Sequence, residues 1–188
     1  MIMFPIENHS IKEINAFKKE AKFHTIAGGK RMSEITVRKF KLADLGAVKQ
    51  IARGLHPEWF TEEALVNIPR DIQFSKCFVA ELEHQVVGFV SVISHDGRPM
   101  IGWLGTEKRL RGKRIGKKLV ERVVAELKSF GYRELRVQTV GECQPVYEPY
   151  EMTLKFYESM GFKVEKRGRL REDLGYKWRF STLRKSLK

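Results

Sequence analysis

The segment Ile101–Gly131, IGWLGTEKRLRGKRIGKKLVERVVAELKSFG, carries three signals in succession. Ile101–Thr106 is an apolar strand pattern, and a short basic loop with two glycines, Gly112 and Gly116, follows it. Leu119, Val120, Val123, Val124, Leu127 and Phe130 then recur at three- and four-residue spacing, which predicts an amphipathic helix with one face on a sheet. Gly131 stands where a left-handed C-cap is wanted. A strand, a glycine-bearing turn and a helix N-terminus together make an anion site. The first-turn N–H groups lack intrahelical partners, and the macrodipole adds partial positive charge. The ligand this implies is a phosphorylated cofactor.

Three phosphate-binding patterns compete for the loop. A Walker loop requires G-x-x-x-x-G-K-[ST], but Gly112 and Gly116 are one residue too close and Lys118 stands where a hydroxyl is needed. A Rossmann fingerprint requires G-x-G-x-x-G, and the chain has none. The third pattern is R-x-x-G-x-G/A, which Arg111-Gly112-Lys113-Arg114-Ile115-Gly116 resembles closely. This is the acetyl-CoA loop of the GNAT N-acetyltransferase superfamily, and the chain is similar to that family here. Arg114 holds the position of the first motif glycine. Its Cβ would crowd a pyrophosphate or its cation would grip one, and the sequence leaves both open. On this resemblance, Leu104, Gly105, Thr106, Arg111, Gly112, Lys113, Arg114, Ile115, Gly116 and Lys117 bind the cofactor. The bland alternative is an ordinary basic β–α turn on a solvated face.

The whole chain has 188 residues, enough for one domain with a sizeable core, and an ordinary hydrophobic fraction of 42%. Its formal net charge of +13 points to an anionic partner: nucleic acid, a membrane surface or a polyphosphate cofactor. Cys77 and Cys143 form neither a disulfide framework nor a metal spacing, which fits a reducing compartment, so no metal is expected. No apolar run reaches membrane-spanning length and no signal-peptide pattern opens the chain, so a cytoplasmic location is expected and a membrane partner is not.

Residues 1–31 read as an N-terminal extension before a domain at 32–188. Ile11, Ile14, Phe17 and Ala21 form one stripe of a short amphipathic helix, and Ala27-Gly28-Gly29-Lys30 reads as a linker. A docking arm and a plain extension both fit. From Ile35 the pattern is α/β. Ile35–Phe40 alternates as a strand, and Asp44 is expected to N-cap a helix whose inward face is Leu45, Val48, Ile51 and Ala52. A second helix is expected after Thr61, with Glu62 and Glu63 complementing its dipole. Between them, His56–Phe60 is a loop of large side chains, either walling an acceptor site or plugging the core.

Cys77–Leu82 and Val86–Ile93 predict an antiparallel hairpin, and the near-continuous VVGFVSVI predicts a central strand covered on both faces. His95 and Asp96 belong to a turn that an Asp-Gly pair explains without chemistry. Glu134–Val140 is a further strand, Gly141–Tyr150 reads as irregular, and Phe162–Lys166 and Tyr176–Thr182 read as strands around a charged turn, Gly168–Gly175. The helix between them, TLKFYESMGF, resembles the second GNAT segment, F-Y-x-x-x-G-F. Thr153, Phe156, Tyr157 and Met160 share its face. The resemblance implies a mixed α/β fold. Its central sheet is mostly antiparallel, splayed between two parallel strands, with helices on both faces. The cofactor threads the splay beside Thr153 and Phe156, and the Tyr157 phenol acts as general acid on the departing thiolate.

The implied activity is acetyl transfer from acetyl-CoA to a primary amine by direct attack in a ternary complex. Backbone N–H groups along Trp103–Thr106 would supply an oxyanion hole. Juxtaposition of two bound substrates then removes much of the entropic barrier. Cys143 is the obvious nucleophile for a ping-pong route, and no base lies beside it in sequence. The strand before the loop lacks the glutamate many relatives carry. Glu142, Glu148 and Glu151 cluster after the next strand, and Glu142 is taken as the base. The acceptor is an amine on a small molecule or a protein, and the sequence leaves a homodimer open. The alternative function is a non-catalytic module, binding acyl-CoA or nucleic acid through the basic loop 108–118. RNA or the ribosome is the partner such a surface would serve.

Overall fold

The protein is described by a computed structural model covering residues 34–173 and 175–188. The amphipathic extension expected at 1–31 lies outside the described residues. The elements run β1 (Thr36–Lys39), α1 (Leu45–Leu55), α2 (Glu62–Phe74), β2 (Lys76–Leu82), β3 (Gln85–His95), β4 (Arg98–Thr106), α3 (Ile115–Ser129), β5 (Glu134–Gln144), α4 (Glu148–Ser159), β6 (Lys163–Arg167), β7 (Arg171–Asp173) and β8 (Tyr176–Ser186). They build one sheet of order β1-β2-β3-β4-β5-β8-β6, with β7 paired to β8. Every pairing is antiparallel except β4 with β5. This is the expected mixed α/β architecture with helices on both faces.

The two faces have separate cores. Val48, Ile51, Ala52 and Leu55 of α1 and Ala64, Ile68 and Ile72 of α2 pack with Val79, Phe89 and Trp103. Ile115, Leu119, Val120, Val123 and Leu127 of α3 pack on the other side with Phe78, Val87, Val90, Tyr157 and Phe162. Strand β3 feeds alternate residues into both cores and is buried from Val87 to Val92, as a doubly covered strand should be. Its hairpin turns place Glu83, His84, Asp96 and Gly97 at positive φ, the twist a two-residue hairpin turn demands.

Several local expectations need correction. Phe130 does not join the buried stripe of α3: it is 63% exposed, beyond the last turn, with the Lys76 ammonium 4.2 Å over its ring. The chain turns away there because Gly131 (φ 78°) closes the helix, with its N–H on the Lys128 carbonyl and that of Tyr132 on Leu127. Asp44 holds the N-cap position of α1, as expected, but its side chain makes no capping hydrogen bond to that helix. It ends a 3₁₀ turn, Leu42–Asp44, where its carboxylate receives Arg38 at 2.7 and 2.8 Å and the Lys41 N–H at 2.7 Å. Gly141–Tyr150 is not irregular throughout: β5 runs on to Gln144 and α4 starts at Glu148. The charged turn 168–175 contains strand β7. Thr61 does cap α2, accepting the Ala64 N–H at 2.6 Å.

Candidate active site

The site follows from a failure of pairing. Parallel strands β4 and β5 share only two register pairs, Met100↔Arg136 and Ile101↔Val137, and then part. A bulge on β4 starts the divergence. Val90 faces Leu104 while Val92 faces Ile101, so β4 carries one extra residue across that step. The buried Ser91 hydroxyl holds the bulge by accepting the Trp103 N–H at 2.9 Å. The Trp103 indole donates to Asp71 of α2 at 2.8 Å, and its ring meets Phe60 edge-on at 5.9 Å.

Two connected cavities occupy the opening. The larger, about 580 Å³, runs along Leu104–Thr106, the loop Leu110–Gly112, the start of α3 and the inner face of α4. The smaller, about 90 Å³, continues among Trp59, Phe60, Thr61, Trp103, Gln138 and Tyr150. Trp59, Leu104, Thr153 and Tyr157 border both and mark the junction.

At the outer end of the large cavity, α3 begins without a side-chain cap, because Arg114 holds the N-cap position in the left-handed region (φ 62°, ψ 16°). The first intrahelical bond runs from the Lys118 N–H to the Arg114 carbonyl at 3.0 Å, leaving the N–H groups of Ile115, Gly116 and Lys117 without intrahelical acceptors. Gly116 keeps the approach narrow but open: an added Cβ would stand 3.3 Å from the Phe156 ring. An uncapped, glycine-lined helix start flanked by Arg111, Arg114 and Lys117 fits a polyphosphate.

The loop from α1 to α2 is latched onto this end. The Arg111 guanidinium lies 3.3 Å from the Trp59 ring centre, and Lys108 Nζ contacts Glu58 at 2.7 Å. Burial of Arg111 pulls its pKa below the usual guanidinium value, while Glu58 acts in the opposite sense. Part of the charge of the basic run is therefore offset by neighbouring groups, while Lys108, Arg109, Lys113, Arg114 and Lys117 stay exposed. Arg109 binds Glu107, Lys117 contacts Glu121 at 3.7 Å, and Lys118 donates to the Ile35 carbonyl at 2.9 Å.

Tyr157 is 5% exposed, its ring set edge-on to Phe156 (5.1 Å) and Phe162 (5.5 Å). Burial drives its pKa up, so the phenol keeps its proton at physiological pH. Beside it, Tyr150 and Tyr147 pack edge-on at 4.8 Å, and the Tyr147 hydroxyl donates to the Glu58 carbonyl at 3.4 Å. Burial pushes the Tyr147 phenol up to about 12.

Of the residues singled out from sequence, the large cavity gathers Leu104, Gly105, Thr106, Arg111, Gly112, Arg114, Ile115, Gly116, Lys117, Thr153, Phe156 and Tyr157. Lys113 and Glu142 line neither cavity. Glu142 sits beyond a bulge in β5, its carboxylate 2.9 Å from Arg179 Nε in a charge contact without hydrogen-bond alignment. That pairing holds it on the strand rather than toward a reacting amine. Glu151 pairs with Lys155 at 2.8 Å, and His95 and Asp96 lie exposed on the β3–β4 turn. Cys143 is half-buried, and burial raises its thiol pKa, the wrong direction for a nucleophile. Trp59 and Phe60 of the loop expected either to wall a site or to plug the core do line the small cavity, whereas sequence reasoning missed Met152 and Ser159 as cavity walls and Ser91 as the bulge holder, because each depends on long-range pairing rather than on a local motif.

Residues 73–164, from the end of α2 to the start of β6, match the family model of the acetyltransferase (GNAT) domain. No curated protein matches the chain. Solved structures do. A Desulfovibrio desulfuricans protein assigned to the GNAT family aligns over 82% of this chain and 100% of its own, at 17% identity and TM-score 0.70. The Escherichia coli ribosomal-protein-S18-alanine N-acetyltransferase aligns over 82% and 95%, at 14% identity and TM-score 0.66. The PaiA N-acetyltransferase of Thermoplasma acidophilum, solved with coenzyme A, aligns over 81% and 99%, at 19% identity and TM-score 0.62. At these identities the likeness is one of fold.

Proposed function

The chain carries a GNAT acetyltransferase domain, and from that premise we propose that it moves an acetyl group from acetyl-CoA to a primary amine, by direct attack in a ternary complex. The observation that carries this reading is the parting of β4 and β5 over a cavity that runs from an uncapped helix N-terminus to a buried tyrosine.

Each end of the cavity has its task. The free N–H groups of Ile115, Gly116 and Lys117, with Arg111 and Arg114, bind the pyrophosphate. Thr153 and Phe156 line the path of the pantetheine arm. The Trp103 N–H is already taken by Ser91, so Leu104, at the junction of the two cavities, is the β4 residue best placed to polarise the thioester carbonyl. Tyr157, protonated and buried at the same junction, gives its proton to the leaving thiolate. The small cavity receives the amine between Trp59, Phe60 and Tyr150.

Calorimetric titration with acetyl-CoA tests the cofactor end, wild type against Gly116→Glu. Wild-type binding lost in Gly116→Glu supports the reading, since a carboxylate then fills the phosphate approach against Phe156. A folded wild type that does not bind acetyl-CoA refutes it. For the reacting end, Tyr157→Phe should retain binding and lose turnover.

A further inference from the structure

The small cavity offers an amine no negative charge. Among the described residues, no carboxylate lines it. Several carboxylates on the flanking elements already hold cations: Glu58 with Lys108, Glu142 with Arg179, Glu151 with Lys155 and Glu172 with Lys177. A polycationic acceptor would meet neutralised acids and a strongly basic chain.

Beyond the mouth the character reverses. Thr139 and Gln138 of the cavity wall stand opposite Ser181 and Thr182 of β8, and Val140 stands opposite Phe180. Phe180 and Trp178 share the sheet face of Gln138 and Val140, since facing pairs and alternate residues point the same way. Over them lies Arg171 of β7, its guanidinium 5.2 Å from the Trp178 ring centre and 5.6 Å from that of Phe180. Arg171 is exposed and has no carboxylate partner among the described residues. The indole N–H of Trp178 is buried without a hydrogen-bond partner. Tyr176, Tyr147 and Tyr150 continue this wall to the cavity, with ring centres 6.4 and 4.8 Å apart. Two strand spacings and three residues of rise put the Arg171 backbone roughly 14 Å from the cavity wall at Thr139, and its side chain shortens that gap by reaching over Phe180.

The geometry points to an acceptor whose amine is carried on an anionic molecule, with its carboxylate or phosphate held by Arg171 above the Trp178–Phe180 pair. This rests on the transferase reading and names the class of acceptor for it. A stacked guanidinium is pre-oriented and presents its N–H edge outward, which suits an anion better than a mobile lysine would.

Three probes of equal length decide it: hexylamine, 6-aminohexanoate and 1,6-diaminohexane, titrated calorimetrically into the protein saturated with CoA. The expected order has 6-aminohexanoate binding about fivefold tighter than hexylamine, with the diamine weakest. Arg171→Gln should bring 6-aminohexanoate to within about twofold of hexylamine, and Arg171→Lys should keep part of the preference. Aminohexyl phosphate, run beside 6-aminohexanoate, shows which anion the site takes. Equal binding of all three amines, tighter binding of the diamine, no binding by any, or an anion preference unchanged in Arg171→Gln each overturns the proposal. A parallel acetyl-CoA titration separates the two readings. Loss of cofactor binding with the anion preference intact would strike the transferase reading and leave the anion site standing.

Discussion

Arg114→Gly should stabilise the fold and weaken the cofactor site at once. Arg114 sits at φ 62° and ψ 16°, where an L-residue with a Cβ costs about 1–2 kcal/mol. Glycine removes that strain but has more freedom in the unfolded chain, which takes back about 0.4–1 kcal/mol. Among the described residues the Arg114 side chain makes no hydrogen bond or ion pair, and its carbonyl keeps the Lys118 N–H in the glycine variant, so nothing else is lost. The net gain is about 0.5–1 kcal/mol, or a rise in Tm of about 2 °C for a chain of this size. The opposite effect falls on acetyl-CoA. Removing one cation beside the N–H groups of Ile115–Lys117 forfeits about 1 kcal/mol of attraction at 4 Å in water, roughly a fivefold loss of affinity. Most of that loss should vanish in high salt. Scanning calorimetry reads the first effect, and titration at two ionic strengths reads the second. Tighter acetyl-CoA binding by Arg114→Gly would refute the reasoning, because the arginine would then be crowding the phosphates rather than gripping them. A lower Tm would refute the strain argument.

Three further outcomes follow from the same geometry. Ser91→Ala strips the acceptor from the buried Trp103 N–H and should cost about 1–3 kcal/mol in chemical denaturation, with acetyl-CoA affinity falling as the bulge relaxes. An unchanged denaturation midpoint would mean the bulge holds without the hydroxyl. Gly131→Ala introduces a Cβ at φ 78° into open space, so it isolates backbone strain and should cost about 1 kcal/mol in urea unfolding. Hydrogen bonds from Arg38 depress the Asp44 pKa below its unfolded value. Its contribution to stability is therefore full above about pH 4 and is lost as pH falls through the lower folded value. Asp44→Asn should accordingly be less stable near neutrality and show a flatter acid limb, measured as urea midpoint against pH.

Features whose cause lies within a few residues are the more legible in the sequence, and those that depend on distant pairing the less. The α3 stripe, its closing glycine, the start of α2 after Thr61 and the β2–β3 hairpin each have their cause within a few residues, so periodicity and turn chemistry reveal them. Phe130 was misplaced because a period cannot say where a helix stops being covered. Asp44 has the right spacing for a cap, but Arg38 is a stronger partner than an amide, and Arg38 itself is also held by Glu81, 43 residues on. The splay is invisible in either strand alone. It appears only when β4 and β5 are laid side by side, with β8 inserted between β5 and β6. The loop was legible because phosphate recognition uses backbone and glycine in a fixed local order. The wall of the small cavity was legible only in the 56–60 loop, since Tyr150 and Gln138 join Trp59 there from separate elements.

The same wall explains why a search for a base by sequence came up short. Among the described residues, neither cavity is lined by an aspartate, glutamate or histidine. Tyr150 is no substitute, because burial raises its pKa and keeps it protonated. On the proposed reaction, the amine must then lose its proton before it reaches the thioester, to water at the mouth. Aromatic walls favour that step: they shield the neutral amine and offer an ammonium no carboxylate. Tyr157 pulls in the same direction, since a phenol whose pKa is raised still holds its proton at the alkaline pH where amines become neutral. A base and an acid of matched pKa would confine activity to a narrow window. A raised phenol with no base leaves the alkaline side open, so the ionisation of the acceptor sets the lower edge of the pH profile.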